Sequence, residues 1–213
     1  MPVQLSPTSY ALLGLLSLRR WTTYELTQQA QRSLRFLYPR AERHLYAEAK
    51  RLAEAGLARS EPTFTGKRRG TTYAITPVGR QALQEWLRTR PGPPVLEAEV
   101  LLRSFFGELG RQQDLAAALE AARIQAIGTQ RELAEMAKSR LDGSAPFPER
   151  TGVVVLTMRF VADFHRLLEQ WAEWAARETA TWEHPDGRDW EGADKVMLDI
   201  AQSGTVTSDR PTG

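Results

Sequence analysis

The sequence predicts a mainly α-helical protein in two parts, short helices interrupted by one β-hairpin and then a set of long helices. Three observations carry this. Apolar residues recur at helical spacing through most of the chain, residues 112–141 and 151–182 being the longest such stretches. One segment alternates instead: in Thr63–Thr76, TFTGKRRGTTYAIT, apolar or β-branched residues fall near every second position on either side of a Gly66–Gly70 turn. Between the two parts, RTRPGPPV at 88–95 holds three prolines and a glycine in eight residues, which breaks a helix and marks a boundary.

The 213 residues, 42% of them hydrophobic, can bury one large core or two modest ones. The absence of cysteine rules out disulfides and thiolate metal sites. A net charge of +2 hides an asymmetry: residues 1–90 carry 15 Lys and Arg against 6 Asp and Glu, and residues 91–213 carry 13 against 20. A basic half joined to an acidic half predicts a polyanionic partner for the first; two solvated faces that happen to differ are the plainer alternative. The run ALLGLLSL is too short to span a bilayer, and no basic residue precedes it as in a secretory leader. It reads as core, with the cytoplasm as the expected location and no membrane association.

Ser6-Pro7 opens a first helix, with a capping serine and a proline at the first helical position. Thr22 and Glu25 have capping-box spacing and start a second. A third runs from about Arg40 to Ala55, between Pro39 and Gly56. Strand-like LARSEPTF, the charged turn and strand-like TTYAIT follow, and Thr76-Pro77 begins a fourth helix to about Arg88. Beyond the boundary, residues 95–106, 112–141, 151–182 and 193–202 read as helices, 183–192 as a loop and the end of the chain as a polar tail.

The third helix divides cleanly. At 100° per residue, Ala41, Ala49 and Leu52 fall within about 40° of Leu45, while Arg40, Arg43, Ala47, Lys50 and Glu54 fall within about 40° of the opposite side. His44 and Arg51 flank the cationic stripe, and Tyr46 sits at its other edge. Small Ala47 in mid-stripe lets the helix approach a groove wall. A B-form major groove admits such a helix with its N-terminal side chains at the base edges, here Arg40, Arg43 and His44. A solvated face would look much the same on this helix alone. The basic hairpin that follows, and an element order matching a winged helix-turn-helix, favour the groove, with Lys67, Arg68 and Arg69 as a wing on the phosphates.

Three segments, ALLGLLSLRRWTTYELTQQA, YPRAERHLYAEAKRLAEAGLARSE and GKRRGTTYAITPVGRQALQEWL, resemble the N-terminal winged helix of PadR-type transcriptional regulators over nearly all of residues 8–88. LRSFFGEL and LTMRFVADFHRLLEQWAEWAARE resemble the long-helix C-terminal region of the subgroup related to virulence-gene activators. The resemblance implies a winged helix-turn-helix DNA-binding domain at 1–90, a helical dimerisation domain at 91–202 and a flexible tail at 203–213. It implies a homodimeric regulator, usually a repressor, on a pseudo-palindromic operator of double-stranded DNA. Many members respond to phenolic or planar aromatic compounds, so a small aromatic effector is an implied partner. The set assigned to DNA is Tyr24, Arg40, Arg43, His44, Tyr46, Lys50, Arg51, Lys67, Arg68 and Arg69. The family often has small and polar residues where Arg40, Ala41, Glu42 and Arg43 stand here, which bears on the operator sequence and not on the mode of binding.

On the last long helix Val154, Met158, Val161, His165, Leu168, Ala172 and Ala175 follow steps of four and three, beside a second stripe of Phe160, Phe164, Leu167, Trp171 and Trp174. This is wider than one partner helix needs. Val154, Met158, Val161, Phe164, Leu168, Trp171 and Ala175 are therefore assigned to a dimer interface, the aromatics serving as core and dimer packing or lining an effector pocket. The three histidines, His44, His165 and His184, have no second good ligand at metal-site spacing, and neither a phosphate loop nor a nucleophile motif is present. No metal, cofactor or enzymatic activity is expected. The rival reading is a winged-helix module that binds an acidic protein without sequence-specific DNA recognition.

Overall fold

The computed structural model describes residues 5–37, 45–65 and 68–203, with backbone alone at 65, 68 and 69. Arg40, Arg43, His44 and Lys67 lie outside the described residues, as does the tail from 204. The chain divides into two compact units, Met1–Pro94 and Val95–Gly213.

The first unit contains α1 (Pro7–Leu18), β1 (Trp21–Thr22), α2 (Thr23–Ser33), α3 (Leu45–Glu54), β2 (Ala58–Thr65), β3 (Arg68–Ile75) and α4 (Pro77–Leu87). Ser6 and Ser9 cap α1 reciprocally: Ser6 Oγ accepts from Ser9 N at 3.2 Å, and Ser9 Oγ accepts from Ser6 N at 2.8 Å. The run read as core is core, since Leu12, Leu13, Leu15 and Leu16 are all buried. Thr22 and Glu25 form the expected box at the start of α2, with Glu25 Oε2 accepting from Thr22 N at 2.8 Å. The third helix is described from Leu45 onward, and it buries Leu45, Ala49 and Leu52 as the wheel requires. It ends at Gly56, whose φ of +73° suits glycine; Leu57 N donates to Leu52 O and Gly56 N to Ala53 O, which closes the helix by the Schellman pattern.

The sheet has the order β1-β3-β2 and is antiparallel throughout. Its third member was not legible: β1 is two residues long, too short for any periodicity, and it pairs Trp21 with Tyr73 and Thr22 with Thr72. Trp21 is buried there and donates its indole N–H to Leu15 O at 2.7 Å. The hairpin also corrects the sequence reading. Pairing continues to Thr65↔Arg68, so Arg68, Arg69 and Gly70 belong to β3, across from Thr65, Phe64 and Thr63, and not to the turn. Pro62 is tolerated because β2 lies at the sheet edge. Tyr10 of α1 stacks on Trp86 of α4, with ring centroids 4.7 Å apart.

The second unit contains α5 (Glu99–Phe105), α6 (Gln112–Leu141), α7 (Thr151–Thr179) and α8 (Ala193–Ser203). The helix expected from 95 begins at Glu99: Ala98 is extended at its N-cap, and residues 91–98 form no regular element. Gln112, at the start of α6, donates to Thr179 O at the end of α7, and Gln130 meets Glu169 in mid-helix, so the two long helices run antiparallel. Leu115, Leu119 and Ala175 form a core patched by Val100, Trp171, Trp174 and Trp182. Among the described residues no helix is long and apolar enough to cross a membrane.

Candidate nucleic-acid interface

Opposite its buried stripe, α3 exposes Tyr46, Ala47, Lys50 and Glu54. Tyr46 is 62% exposed. Lys50 Nζ lies 3.7 Å from Glu54 Oε1, an exposed pair that a phosphate can replace at little cost. Tyr24, on α2, is 71% exposed, and its hydroxyl accepts from Gln28 Nε2 at 2.6 Å. Burial pushes the Tyr73 phenol of β3 up, with a smaller push from Tyr46.

Arg51 is committed elsewhere. Its Nε and Nη2 donate to both carboxylate oxygens of Glu48 at 2.9 and 2.7 Å, and Nη2 also donates to Ser9 Oγ at 2.8 Å. Glu48 is largely covered and Ser9 fully buried. Bidentate binding by Arg51 holds the Glu48 carboxyl below its ordinary range and raises the guanidinium in turn. This geometry makes Arg51 a tie between α3 and α1. The flank of a helical wheel cannot reveal a partner 42 residues away.

The far end of α3 is tied as firmly. Thr76 Oγ1 lies 2.7 Å from Gly56 O and 3.0 Å from Leu57 O, either of which takes its hydrogen, and it accepts from Gly79 N at 3.1 Å. A Cβ on Gly79 would stand 2.0 Å from Leu57 O, so only glycine lets α4 start this close to the end of α3. Beside the wing, Arg20 pairs with Glu61, and Arg59 lies 3.5 Å from the same carboxylate; sequence reasoning had not singled out these cations, and they are already partnered. Phe64, also missed, is 68% exposed at the end of β2.

In the second unit the predicted interface stripe is partly used within the chain. Val161 and Ala175 are buried, Trp171 packs on the Leu115–Leu119–Ala175 core, and Val154, Met158, Phe164 and Leu168 are half-buried. The open apolar surface of α7 is instead Val153, Leu156, Phe160 and Leu167, each more than half exposed. His165 is half-buried, and burial lowers its pKa. Contrary to the spacing argument, His184 does meet carboxylates: ligand atoms of Glu183, His184 and Asp189 lie within 4.8 Å of one another. All three are exposed, and Asp189 already accepts the backbone N–H groups of Glu183 and His184, so the grouping serves as a loop cap.

No protein-family model matches the chain. In sequence it is 30% identical over 99 residues to the negative transcriptional regulator PadR of Bacillus subtilis, a match covering 46% of this chain and 54% of that protein. The chain thus spans about half the length of the curated relative it matches. In structure it is similar to smu.1604c of Streptococcus mutans (TM-score 0.72, 20% identity, 80% of this chain and 98% of that one). It is also similar to Bacillus subtilis PadR solved with operator DNA (0.66, 21%, 80% and 98%). A third likeness is to the Vibrio cholerae virulence activator AphA (0.60, 20%, 80% and 96%). The Bacillus protein has also been solved with p-coumaric acid (0.59, 20%, 83% and 99%). Those named for a role are transcriptional regulators, a non-enzyme class. The fold is a winged helix followed by long helices, as in the PadR-type regulators, and over 99 residues the sequence is similar to theirs as well.

Proposed function

We propose that this chain is a DNA-binding transcriptional regulator, acting as a homodimeric repressor in the cytoplasm. The observation that carries the reading is the split of α3: Leu45, Ala49 and Leu52 are buried while Tyr46, Ala47 and Lys50 face outward, beside a hairpin whose sequence holds three consecutive cations. In this reading the helix from about 40 to 55 lies in the major groove, Arg40, Arg43 and His44 approach base edges, and Lys67, Arg68 and Arg69 bind phosphates. Residues 1–90 form the DNA-binding domain and 91–202 the dimerisation domain.

The second copy covers the apolar side of α7 formed by Val153, Leu156, Phe160 and Leu167, a stripe longer than an exposed monomer surface sustains. Two winged helices related by a two-fold axis then call for a pseudo-palindromic operator. A small aromatic effector fits the same scheme, since the similar Bacillus protein binds p-coumaric acid. The test is selection of bound fragments from the host genome, followed by competition at rising salt. Enrichment of one motif with two symmetric halves supports the proposal. Uniform recovery of all fragments, or capture of acidic proteins in their place, overturns it.

A further inference from the structure

In α8, Ala193, Val196, Met197 and Ile200 fall within about 60° of Ile200 at 100° per residue, while Lys195, Leu198 and Gln202 fall on the far side. No residue of this helix is buried, and Met197 and Ile200 are 67% and 61% exposed. Eleven residues are too few for a helix to be stable alone in water, so the stripe calls for a surface to lie on. The side of α7 that carries Val153, Leu156, Phe160 and Leu167 continues through Trp174 and Glu178, all within about 40° of Phe160. Its second half is covered by the chain itself. Trp190 lies against Trp174, with ring centroids 5.9 Å apart, and donates its indole N–H to Glu178 Oε2 at 2.9 Å. The same contacts root α8, because Ala193 N donates to Trp190 O at 3.1 Å. Leu156 and Val153 lie about 27 and 32 Å from Trp174 along the axis of α7, whereas α8 is only about 17 Å long. A helix rooted at Trp190 therefore cannot cover the open end of its own α7.

Resting on the homodimer reading above, we infer that α8 of each copy lies on the open half of α7 in the other. The midpoint of Thr151–Thr179 is residue 165. A two-fold axis through that point, perpendicular to α7, sets Glu178 of one copy level with residue 152 of the partner subunit, where the open stripe begins. The half that each chain covers for itself then meets the half it leaves bare, and α8 is rooted at the end where it is needed. Charge agrees with this seating: residues 151–167 carry Arg159 and Arg166 against Asp163, and α8 carries Asp194 and Asp199 against Lys195. Size agrees as well. Four side chains on each α7 fall short of the roughly 20 residues a side that a stable interface engages, and an exchanged helix enlarges the contact on both sides of the axis.

The chain has no cysteine of its own, so introduced pairs report the contact directly. The full-length double variants Leu156→Cys with Met197→Cys, and Phe160→Cys with Ile200→Cys, are oxidised mildly beside the four single variants and separated on a non-reducing gel. Sedimentation equilibrium of wild type, Met197→Glu and Leu198→Glu runs alongside. Disulfide-linked dimers are expected in at least one double variant and in none of the singles. Met197→Glu is expected to weaken dimerisation at least tenfold, and Leu198→Glu, on the far side of α8, to leave it unchanged. Three outcomes overturn the inference: disulfides closed within one chain, cross-linked single variants, or a reduced wild type that is dimeric while neither double variant cross-links. Equal effects of the two glutamates overturn it too. All of these leave the homodimer reading intact, whereas a monomeric wild type overturns both.

Discussion

Arg51 Nη2 donates to the buried hydroxyl of Ser9 at 2.8 Å while its guanidinium holds Glu48 with two parallel bonds, so one side chain fastens α3 to the first turn of α1. The same Ser9 hydroxyl also accepts from Ser6 N in the cap of α1. The orientation of the proposed recognition helix is thereby linked to the start of the fold. Removing the guanidinium leaves a largely covered carboxylate and a buried hydroxyl short of a donor. Arg51→Ala is expected to destabilise the protein by about 1–3 kcal/mol, measured by equilibrium denaturation. Operator affinity should fall without any change in salt slope, because no phosphate contact is lost.

The pair also sets a pH dependence. Glu48 is depressed in the folded protein, first by its hydrogen bonds from Arg51, so its unfolded pKa is the higher of the two. The stability it contributes is complete above the unfolded glutamate value and is lost as pH falls through the folded one. The stability difference between wild type and Glu48→Gln should therefore be constant near neutrality and shrink on acidification below the ordinary glutamate range. Denaturation midpoints of both proteins across that range check it, and a difference that grows with acid would contradict the assignment.

Among the described glycines, Gly79 leaves an added Cβ the least room, against the Leu57 carbonyl. A methyl group 2.0 Å from the Leu57 carbonyl oxygen must push α4 off the end of α3, and Gly79→Ala is expected to cost about 3 kcal/mol. Thr76→Val keeps the shape but removes the cap, at a cost of about 1–2 kcal/mol. Chemical denaturation of the two variants should rank them in that order.

What the sequence made legible follows from range. Thr22 with Glu25, Pro7, Gly56 and Thr76-Pro77 act within a few residues, and each of these helix ends stands where local chemistry put it. The two-residue strand at Trp21 exists only through Tyr73, and Arg51 is claimed by Ser9; neither partner is near in the chain. On α7 the periodicity was read correctly as broad, but it could not say which stripe a neighbouring helix of the same chain would take. Packing against α6 decides that, and it leaves Phe160 outward, about 100° around the helix from buried Val161.

That division gives a discriminating pair of substitutions. Phe160→Glu or Leu167→Glu places a charge on the open stripe, where a second copy would have to bury it, and is expected to yield folded monomers with weak operator binding. Trp171→Glu strikes the core made with Leu115, Leu119 and Ala175, and is expected to lower the unfolding midpoint of the chain itself. Sedimentation equilibrium separates the cases. Dimers of unchanged strength in Phe160→Glu and Leu167→Glu would remove this stripe from the interface.

Lys50 and Arg43 are expected to behave differently on DNA. Lys50 gives up only an exposed pair with Glu54, so Lys50→Ala should alter stability by less than about 1 kcal/mol. If each copy neutralises one phosphate in a two-fold complex, the same substitution lowers the salt slope by about two units and weakens all sequences alike. Arg43→Ala should instead cost about 1–3 kcal/mol at particular base pairs if the guanidinium reads guanine, and leave other duplexes little affected. Binding to a panel of singly substituted operators, repeated at two salt concentrations, distinguishes the two patterns. An Arg43→Ala loss that is uniform across the panel would place that residue on the phosphate backbone beside Lys50.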